Sequence, residues 1–522
     1  MALGRTRSVS LEGMRGRVVE IEVDVSAGLP RTTLVGLPDA SLAEARDRCR
    51  AAVVNSRHSW PDQKVTINLS PAGLPKSGAH FDLGIALAVL ASQQVVPHER
   101  LASAAVLGEL RLDGRLRAVA GVLPATVAAV AAGCERVIVP EPNAGEAAIV
   151  EGAHVLGVRS LRHAVALLRG DEPPDDPPVD PLAEPTAGGG RLDGLDLTDV
   201  VGQDDARTAM LIAAAGLHHV LLTGPPGVGK TMLAQRLPGL LPDLGRQESL
   251  ETSAVYSVAG LLSPEAPLLE RPPFIDPHHT ASAQALVGGG SRVVRPGAMS
   301  LAHNGVLFLD EAPEFRRDVI EALRQPLESG RVTVSRAAQT AEFPARFLLV
   351  LASNPCPCGQ KAGRADLCTC LPLVKRRYAE RLSAPIRDRI DLHPVVGPVS
   401  AQHQGTPDTE RTPTHVVAAR VAEARDRQRL RLASTPWHTN GEVPGAVLRR
   451  EMSTPANVLA EVDRPTRSGA INARTADRLL RVAWTVADLR RRDTPDPDDL
   501  ATAMALRQGA SLPGSLWERV VA

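Results

Sequence analysis

Gly224, Pro225, Pro226, Gly227, Val228, Gly229, Lys230 and Thr231 run consecutively and fit the pattern G-x-x-x-x-G-K-S/T. Glycine lets a backbone approach phosphate oxygens closely, and the N–H groups at a helix start offer partial positive charge to an anion. Lys230 is placed to pair with the β- and γ-phosphates and Thr231 to ligate Mg2+, so the chemistry is the binding of a nucleoside triphosphate. Residues 305–311, Gly-Val-Leu-Phe-Leu-Asp-Glu, form an apolar run ending in two carboxylates. Asp310 suits the Mg2+ shell, and Glu311 suits orienting or deprotonating the attacking water. Asn354 closes a third apolar run, 347–352, and suits contact with the γ-phosphate and its water.

A second cluster has different chemistry. Cys356, Cys358, Cys368 and Cys370 are spaced C-x-C-x9-C-x-C. Four thiolates this close in sequence can close a tetrahedral Zn2+ site, with free or redox-active thiols as the alternative. Lys375, Arg376, Arg377 and Arg381 follow at once, and a metal-fixed knuckle beside such a basic stretch fits contact with nucleic acid. The remaining two cysteines, Cys49 and Cys134, read as small core fillers.

The elements that must carry these groups can be read from hydrophobic patterning. Short apolar strands at 219–223, 305–309 and 347–352 alternate with helical stretches, which predicts an α/β fold with a parallel sheet. Upstream, 18–25 and 64–69 alternate as half-buried strands, and 41–55 and 81–91 read as helices. Residues 171–190 hold six prolines, six acidic residues and no basic one, which predicts an extended, unpacked linker. The expected organisation is an α/β domain over 1–170, a linker over 171–191, a nucleotide-binding core over 192–400 with the cysteine insertion at 356–370, and a helical region over 413–522. That last region is mildly basic, with 17 arginines against 13 acidic residues.

Composition narrows the class. The chain has 522 residues, 43% of them hydrophobic, with a formal net charge of zero. This excludes a disordered chain and a uniformly basic nucleic-acid coat protein. No stretch approaches the roughly 20 apolar residues of a membrane span, and no apolar signal core follows the N-terminal arginines, so no membrane association and a cytoplasmic location are expected.

The nucleotide motifs resemble those of AAA+ ATPases. Residues 277–290 (PHHTASAQALVGGG), 297–316 (GAMSLAHNGVLFLDEAPEFR), 353–359 (SNPCPCG) and 386–393 (IRDRIDLH) resemble the magnesium chelatase-like branch and within it the ComM/YifB family. The resemblance covers nearly the whole chain and implies a homo-hexameric ring with a C-terminal helical lid. It implies that Arg389 is an arginine finger completing a neighbour's site, that Arg474 is a sensor arginine, and that Gln203 lies near the adenine. It also implies a hairpin, 331–335 with 342–347, directed into the ring pore. Arg336, Arg292 and Arg295 are then candidate contacts to a phosphate backbone. His278 and His279 read as structural loop histidines.

Residues 18–130 resemble the Lon-type protease domain, but His80 stands where that family has its serine and Leu123 where it has its lysine. A hydroxyl nucleophile needs an adjacent base, so no peptidase activity is expected. Two functions remain open. One is an ATP-driven ring motor on branched or single-stranded DNA, with a branch-migration or helicase-like role in recombination or natural transformation. The other is a protein-remodelling or metal-chelatase-type ATPase that does not translocate DNA.

Overall fold

The computed structural model of the chain describes residues 3–36, 44–74, 76, 78–182, 192, 194–290, 294–335, 340–359, 368–398, 412–512, 517 and 520. The first part is a seven-stranded mixed sheet ordered Arg31–Val35, Lys64–Ser70, Arg15–Ser26, Gly4–Glu12, Ala104–Val106, Arg136–Pro140 and His154–Val158. Alternation in Arg15–Ser26 sends Val19, Ile21 and Val23 into a core. The helix Asp82–Ser92, buried from Asp82 through Ala91, packs against that face. A helix apolar on all sides must be covered on all sides, and this one is flanked by the helices Ala45–Asn55 and Leu161–Arg169 as well as by the sheet. Its one buried charge, Asp82, receives two hydrogen bonds from the Arg48 guanidinium at 2.8 and 3.0 Å. Burial still pushes its carboxyl up to about 6 against that pairing. Cys49 and Cys134 are buried, as expected.

The second part holds four parallel strands ordered Val220–Thr223, Leu348–Ser353, Val306–Leu309 and Phe274–Ile275. Every residue of Leu348–Ser353 and Val306–Leu309 is buried, as befits parallel strands covered on both faces. Parallel bridges from Leu392 to Val220 and from Val395 to Thr223 extend the sheet past the strand that leads into residues 224–231. The predicted hairpin forms, as Arg331–Ser335 paired with Thr340–Pro344, its second strand two residues earlier than the pattern indicated. The third part is helical, led by Thr414–Arg431, Ala473–Leu489 and Pro497–Gln508. It shares one core with the helix Asp204–Gly216 of the second part. Among the described residues no helix is long and apolar enough to cross a membrane.

One expectation needs a correction in detail. Residues 171–182 adopt no helix or strand and most are exposed, but the segment is docked at two points. Asp176 is buried and accepts hydrogen bonds from Ser160 and Arg162, and Val179 packs on the N-terminal core. Composition foretold an extended path, but an acidic side chain with an arginine waiting for it docks. Residues 183–191 lie outside the described ones.

Trp484, on Ala473–Leu489, is 2% exposed and donates from Nε1 to Thr454 Oγ1 at 3.0 Å, while the Arg431 guanidinium lies 4.7 Å above its ring. Trp484→Ala should cost about 3–5 kcal/mol through the cavity it leaves. Differential scanning calorimetry should show a melting transition lowered by several degrees, and an unchanged transition would mean that this core is not closed around the indole.

Candidate functional site

The sheet register brings the three motif-bearing strands to a common edge. Thr223 pairs with Ser353, and Leu309 pairs with Leu351. Gly224, Asn354 and Asp310 therefore leave neighbouring strand ends, the edge at which open α/β sheets bind ligands. Gly224 cannot carry a side chain, since a Cβ there would come within 2.3 Å of the Val396 carbonyl oxygen. Beyond the loop, Lys230–Arg236 starts a helix.

Pro226, Gly227, Gly229, Lys230, Thr231, Asp310, Glu311 and Asn354 line one cavity of about 390 Å³. The Lys230 ammonium donates to the carbonyls of Gly224 (2.7 Å) and Pro225 (2.9 Å) and to Asn354 Oδ1 (3.0 Å). Desolvation lowers its pKa, against the opposing pull of Asp310 and Glu311. Thr231 Oγ1 donates to Asp310 Oδ2 at 2.7 Å. These two oxygens are hard donors beside a cationic cradle and fit the protein side of a Mg2+ shell that phosphate oxygens would complete. Glu311 has a left-handed backbone (φ 51°) that turns it out of line with the strand.

A residue read from sequence as merely structural belongs here. His279 Nδ1 lies 3.5 Å from Glu311 Oε2, and its ring stands 4.1 Å from that of His278. The signal lay in topology. Strand Phe274–Ile275 pairs with Val306–Leu309, so the residues following each strand meet. Gln203 reaches the back of the loop, donating to the Val228 carbonyl at 2.5 Å.

Arg389 and Arg474 do not line this cavity. Arg389 is 7% exposed, donates to the Pro385 carbonyl at 2.6 Å and pairs with Glu328. Arg474 stands exposed in the first turn of Ala473–Leu489. What joins their two elements is Asp391, which sequence reasoning missed. Its Oδ1 accepts from Arg478 at 2.6 Å, its Oδ2 accepts from the His219 backbone N–H at 3.1 Å, and His218 Nδ1 lies 3.7 Å away. Burial pushes the Asp391 carboxyl up, but Arg478, His218 and His219 together hold it well below the usual carboxylate range. Arg295 is exposed beside the loop 277–290, whereas Arg292 and Arg336 lie outside the described residues.

The cysteines converge. The sulfurs of Cys356, Cys358, Cys368 and Cys370 all lie within 4.8 Å of one another, with 3.2 Å between Cys356 and Cys358 and 3.5 Å from each of these to Cys368. Zn–S bonds of about 2.3 Å in a tetrahedron put sulfurs about 3.8 Å apart, so the set could hold a metal ion. Desolvation pushes the Cys368 thiol up, but hydrogen bonds from the Cys370 backbone, Cys358, Cys356 and Lys375 outweigh it and draw the thiol down to about 7.

In the N-terminal part, His80 Nε2 lies 3.0 Å from the Val9 carbonyl oxygen. The buried Leu123 stands at the start of helix Val122–Ala131. Its N–H donates to Glu146 Oε2 and to Ser257 Oγ, each at 3.2 Å.

A parallel sheet with a phosphate loop on its edge and a helical lid sharing its core is the architecture of an AAA+ protein. Residues 196–404 match the family described as magnesium chelatase, subunit ChlI; 21–143 match subunit ChlI of Mg-chelatase; and 411–507 match magnesium chelatase, subunit ChlI C-terminal. An uncharacterized protein of Mycobacterium tuberculosis is 49% identical over 508 residues, 97% of this chain and 99% of that one. YifB of Escherichia coli is 38% identical over 515 residues, 98% and 97% of the two chains. Competence protein ComM of Haemophilus influenzae is 39% identical over 512 residues, 97% and 98%. The chain belongs to the ComM/YifB family of magnesium chelatase-like AAA+ proteins.

Asp391→Ala would strip the partner from a half-buried arginine, at a cost of about 3–5 kcal/mol. A depressed carboxylate stabilises at any pH above its unfolded pKa of about 4 and loses that contribution as pH falls through the lower folded value. Thermal unfolding should therefore show the full gap between wild type and variant at neutral pH, shrinking only below about pH 4. A gap that is already closed at pH 6 would rule out the ion pair as its source.

Proposed function

We propose that this chain is an ATP-hydrolysing ring motor that acts on DNA. The observation that carries the hydrolytic part is the single cavity lined by Lys230, Thr231, Asp310, Glu311 and Asn354. In this reading ATP lies along the loop 224–231 with its γ-phosphate toward Lys230 and Asn354. Thr231 and Asp310 hold Mg2+, whose chemistry is to neutralise charge on the β- and γ-phosphate oxygens. Glu311 orients the attacking water and takes its proton. His279 stands beside this carboxylate, which already faces the cavity.

The ring follows from the arginines. Arg389, kept from its own chain's cavity, acts on the triphosphate of the neighbouring subunit in a hexamer once it leaves Glu328, and Arg474 closes the lid on the nucleotide. Such an arginine stabilises charge that develops only during transfer. The DNA part is supported by the 39% identity to a protein named for competence. The hairpin Arg331–Ser335 and Thr340–Pro344, with Arg331 exposed on it, offers a pore element. The four cysteines take Zn2+ in this reading. The N-terminal part has no peptidase role, with a ring nitrogen and an aliphatic side chain at the positions of a serine–lysine pair.

Lys230→Ala should remove ATP turnover, with a loss of at least about a hundredfold. Glu311→Gln should bind ATP and hold it unhydrolysed, detectable by retention of radiolabelled ATP on the isolated ring. ATPase assays with four-way-junction or forked DNA should show stimulation that weakens as salt rises. Stimulation by a protein substrate alone, with none by any DNA, would replace the motor with a protein-remodelling ATPase.

A further inference from the structure

The cysteine cluster adjoins the elements that line the nucleotide cavity, at three points. The first is the stem. Asn354, which accepts a hydrogen bond from Lys230 at 3.0 Å, is two residues from Cys356, and Cys356 is fully buried. The second is the turn that closes the first cysteine pair. Gly359 donates its N–H to the Cys356 carbonyl at 3.1 Å with φ at +70°. A Cβ on Gly359 would lie 2.7 Å from Cγ and 2.9 Å from Cδ of Pro226. The cysteine turn therefore rests its backbone directly on the phosphate loop, next to Pro225, whose carbonyl also holds Lys230. The third is the exit. Leu371 leads from Cys370 into helix Pro372–Glu380, where Tyr378 is buried. Arg381, just beyond, donates to Glu314 Oε2 at 2.8 Å and to the Pro313 carbonyl at 3.3 Å. Pro313 and Glu314 follow Asp310 and Glu311 in the chain.

The geometry points to a metal-controlled brace: a thiophilic divalent cation of the Zn2+ class, bound by Cys356, Cys358, Cys368 and Cys370, holds Pro226 and Asn354 in register for ATP, so that metal occupancy sets nucleotide affinity. This rests on the reading of the cluster as a Zn2+ site. The physical reason is that a tetrahedral thiolate site fixes the relative positions of its four Cα atoms. Here two of those four lie on the strand-end segment that carries Asn354 and Gly359, and the other two lie on the segment anchored behind the carboxylate strand. Without the ion nothing ties the four sulfurs to one another, and the turn that seats on Pro226 loses that restraint. The cysteines are positioning residues, since they touch neither ATP nor the attacking water. Coupling between two bound ligands is reciprocal, so ATP must in turn tighten the hold on the metal. That reciprocity is a signature a merely structural metal would lack.

The experiment uses the full chain. Zinc is measured by plasma mass spectrometry, and nucleotide binding by fluorescence of a mant-labelled ATP analogue with Mg2+ in excess. Zinc is then withdrawn with the zinc-selective chelator TPEN and restored by titration. The expected results are about one zinc per chain, a nucleotide affinity about tenfold weaker in the zinc-free protein, recovery on zinc addition, and slower zinc release to the chelator when the analogue is bound. Cys358→Ser removes an exposed ligand without opening the core and should reproduce the zinc-free affinity without recovery. Should that variant fail to fold, the chelation cycle on the wild-type chain decides alone. Zinc-free, folded protein that binds the analogue with unchanged affinity would overturn the brace while leaving the metal site intact. A chain that neither contains zinc nor takes it up would overturn the metal site itself.

Discussion

Lys230 carries its ammonium into a half-buried corner where three neutral acceptors meet it, the carbonyls of Gly224 and Pro225 and the side-chain oxygen of Asn354. Its hydrogen-bond partners are all dipoles, and burial depresses its pKa against the pull of the nearby Asp310 and Glu311 carboxylates. A polyphosphate is the matching anion, and its arrival would exchange three dipoles for charge. The exchange would free Asn354 and the loop carbonyls in one event, so the strand end that follows Asn354 and the loop that precedes Lys230 must respond together. The sheet makes this possible. Parallel strands with buried, two-sided apolar runs hold Gly224, Asp310 and Asn354 at fixed spacing, while the polar groups beyond the strand ends remain free to change partners.

A second fixed point lies on the other side of the loop strand. Asp391 ties the backbone N–H of His219, at the start of that strand, to Arg478 in the lid. Arg389 precedes Asp391 by two residues, and Arg474 precedes Arg478 by one helical turn. The spacing between the two arginines is therefore tied to this ion pair, alongside the bond from the His393 N–H to the Leu506 carbonyl at 2.8 Å. Such a pair contributes little net stability over an apolar substitute, because desolvation consumes the Coulomb gain. What it supplies is geometry: the lid cannot rotate against the element bearing Arg389 without exposing or unpairing a carboxylate.

The residues of the nucleotide cavity were legible in sequence because their chemistry is local. Eight adjacent residues make the phosphate loop, and an Asp-Glu pair after an apolar run marks a strand end whatever the strand's neighbours are. The parallel sheet and the hairpin were equally legible from short apolar runs and period-two alternation. Contacts across the sheet were not. His279 and Glu311 meet only because Phe274–Ile275 adjoins Val306–Leu309. Asp391 meets Arg478 across 87 positions. The docking of Asp176 was hidden for a related reason: proline and acidic content describe a segment's own stiffness and charge, not the arginine side chains that a folded domain presents to it.

The N-terminal part packs against the second part of the chain through named contacts. Helix Val122–Ala131 begins with backbone donors that have no partner within the helix, as every helix does. Here the N–H of Gly121 donates to the Ser257 carbonyl at 2.9 Å, and that of Leu123 to Ser257 Oγ and Glu146. Ser257 belongs to Arg246–Ala259, the helix inserted between the phosphate loop and the carboxylate strand. Burial pushes the Glu146 carboxyl up even though Ser257, Asn143 and Leu123 all donate to it. On the same side, a Cβ on Gly13 would lie 2.9 Å from the Glu342 carbonyl oxygen, which places the turn at residue 13 on the hairpin strand Thr340–Pro344. The domain thus rests on the inserted helix and on the hairpin, two elements that both spring from the nucleotide core. A body seated on both ties the two elements to each other through its own fold.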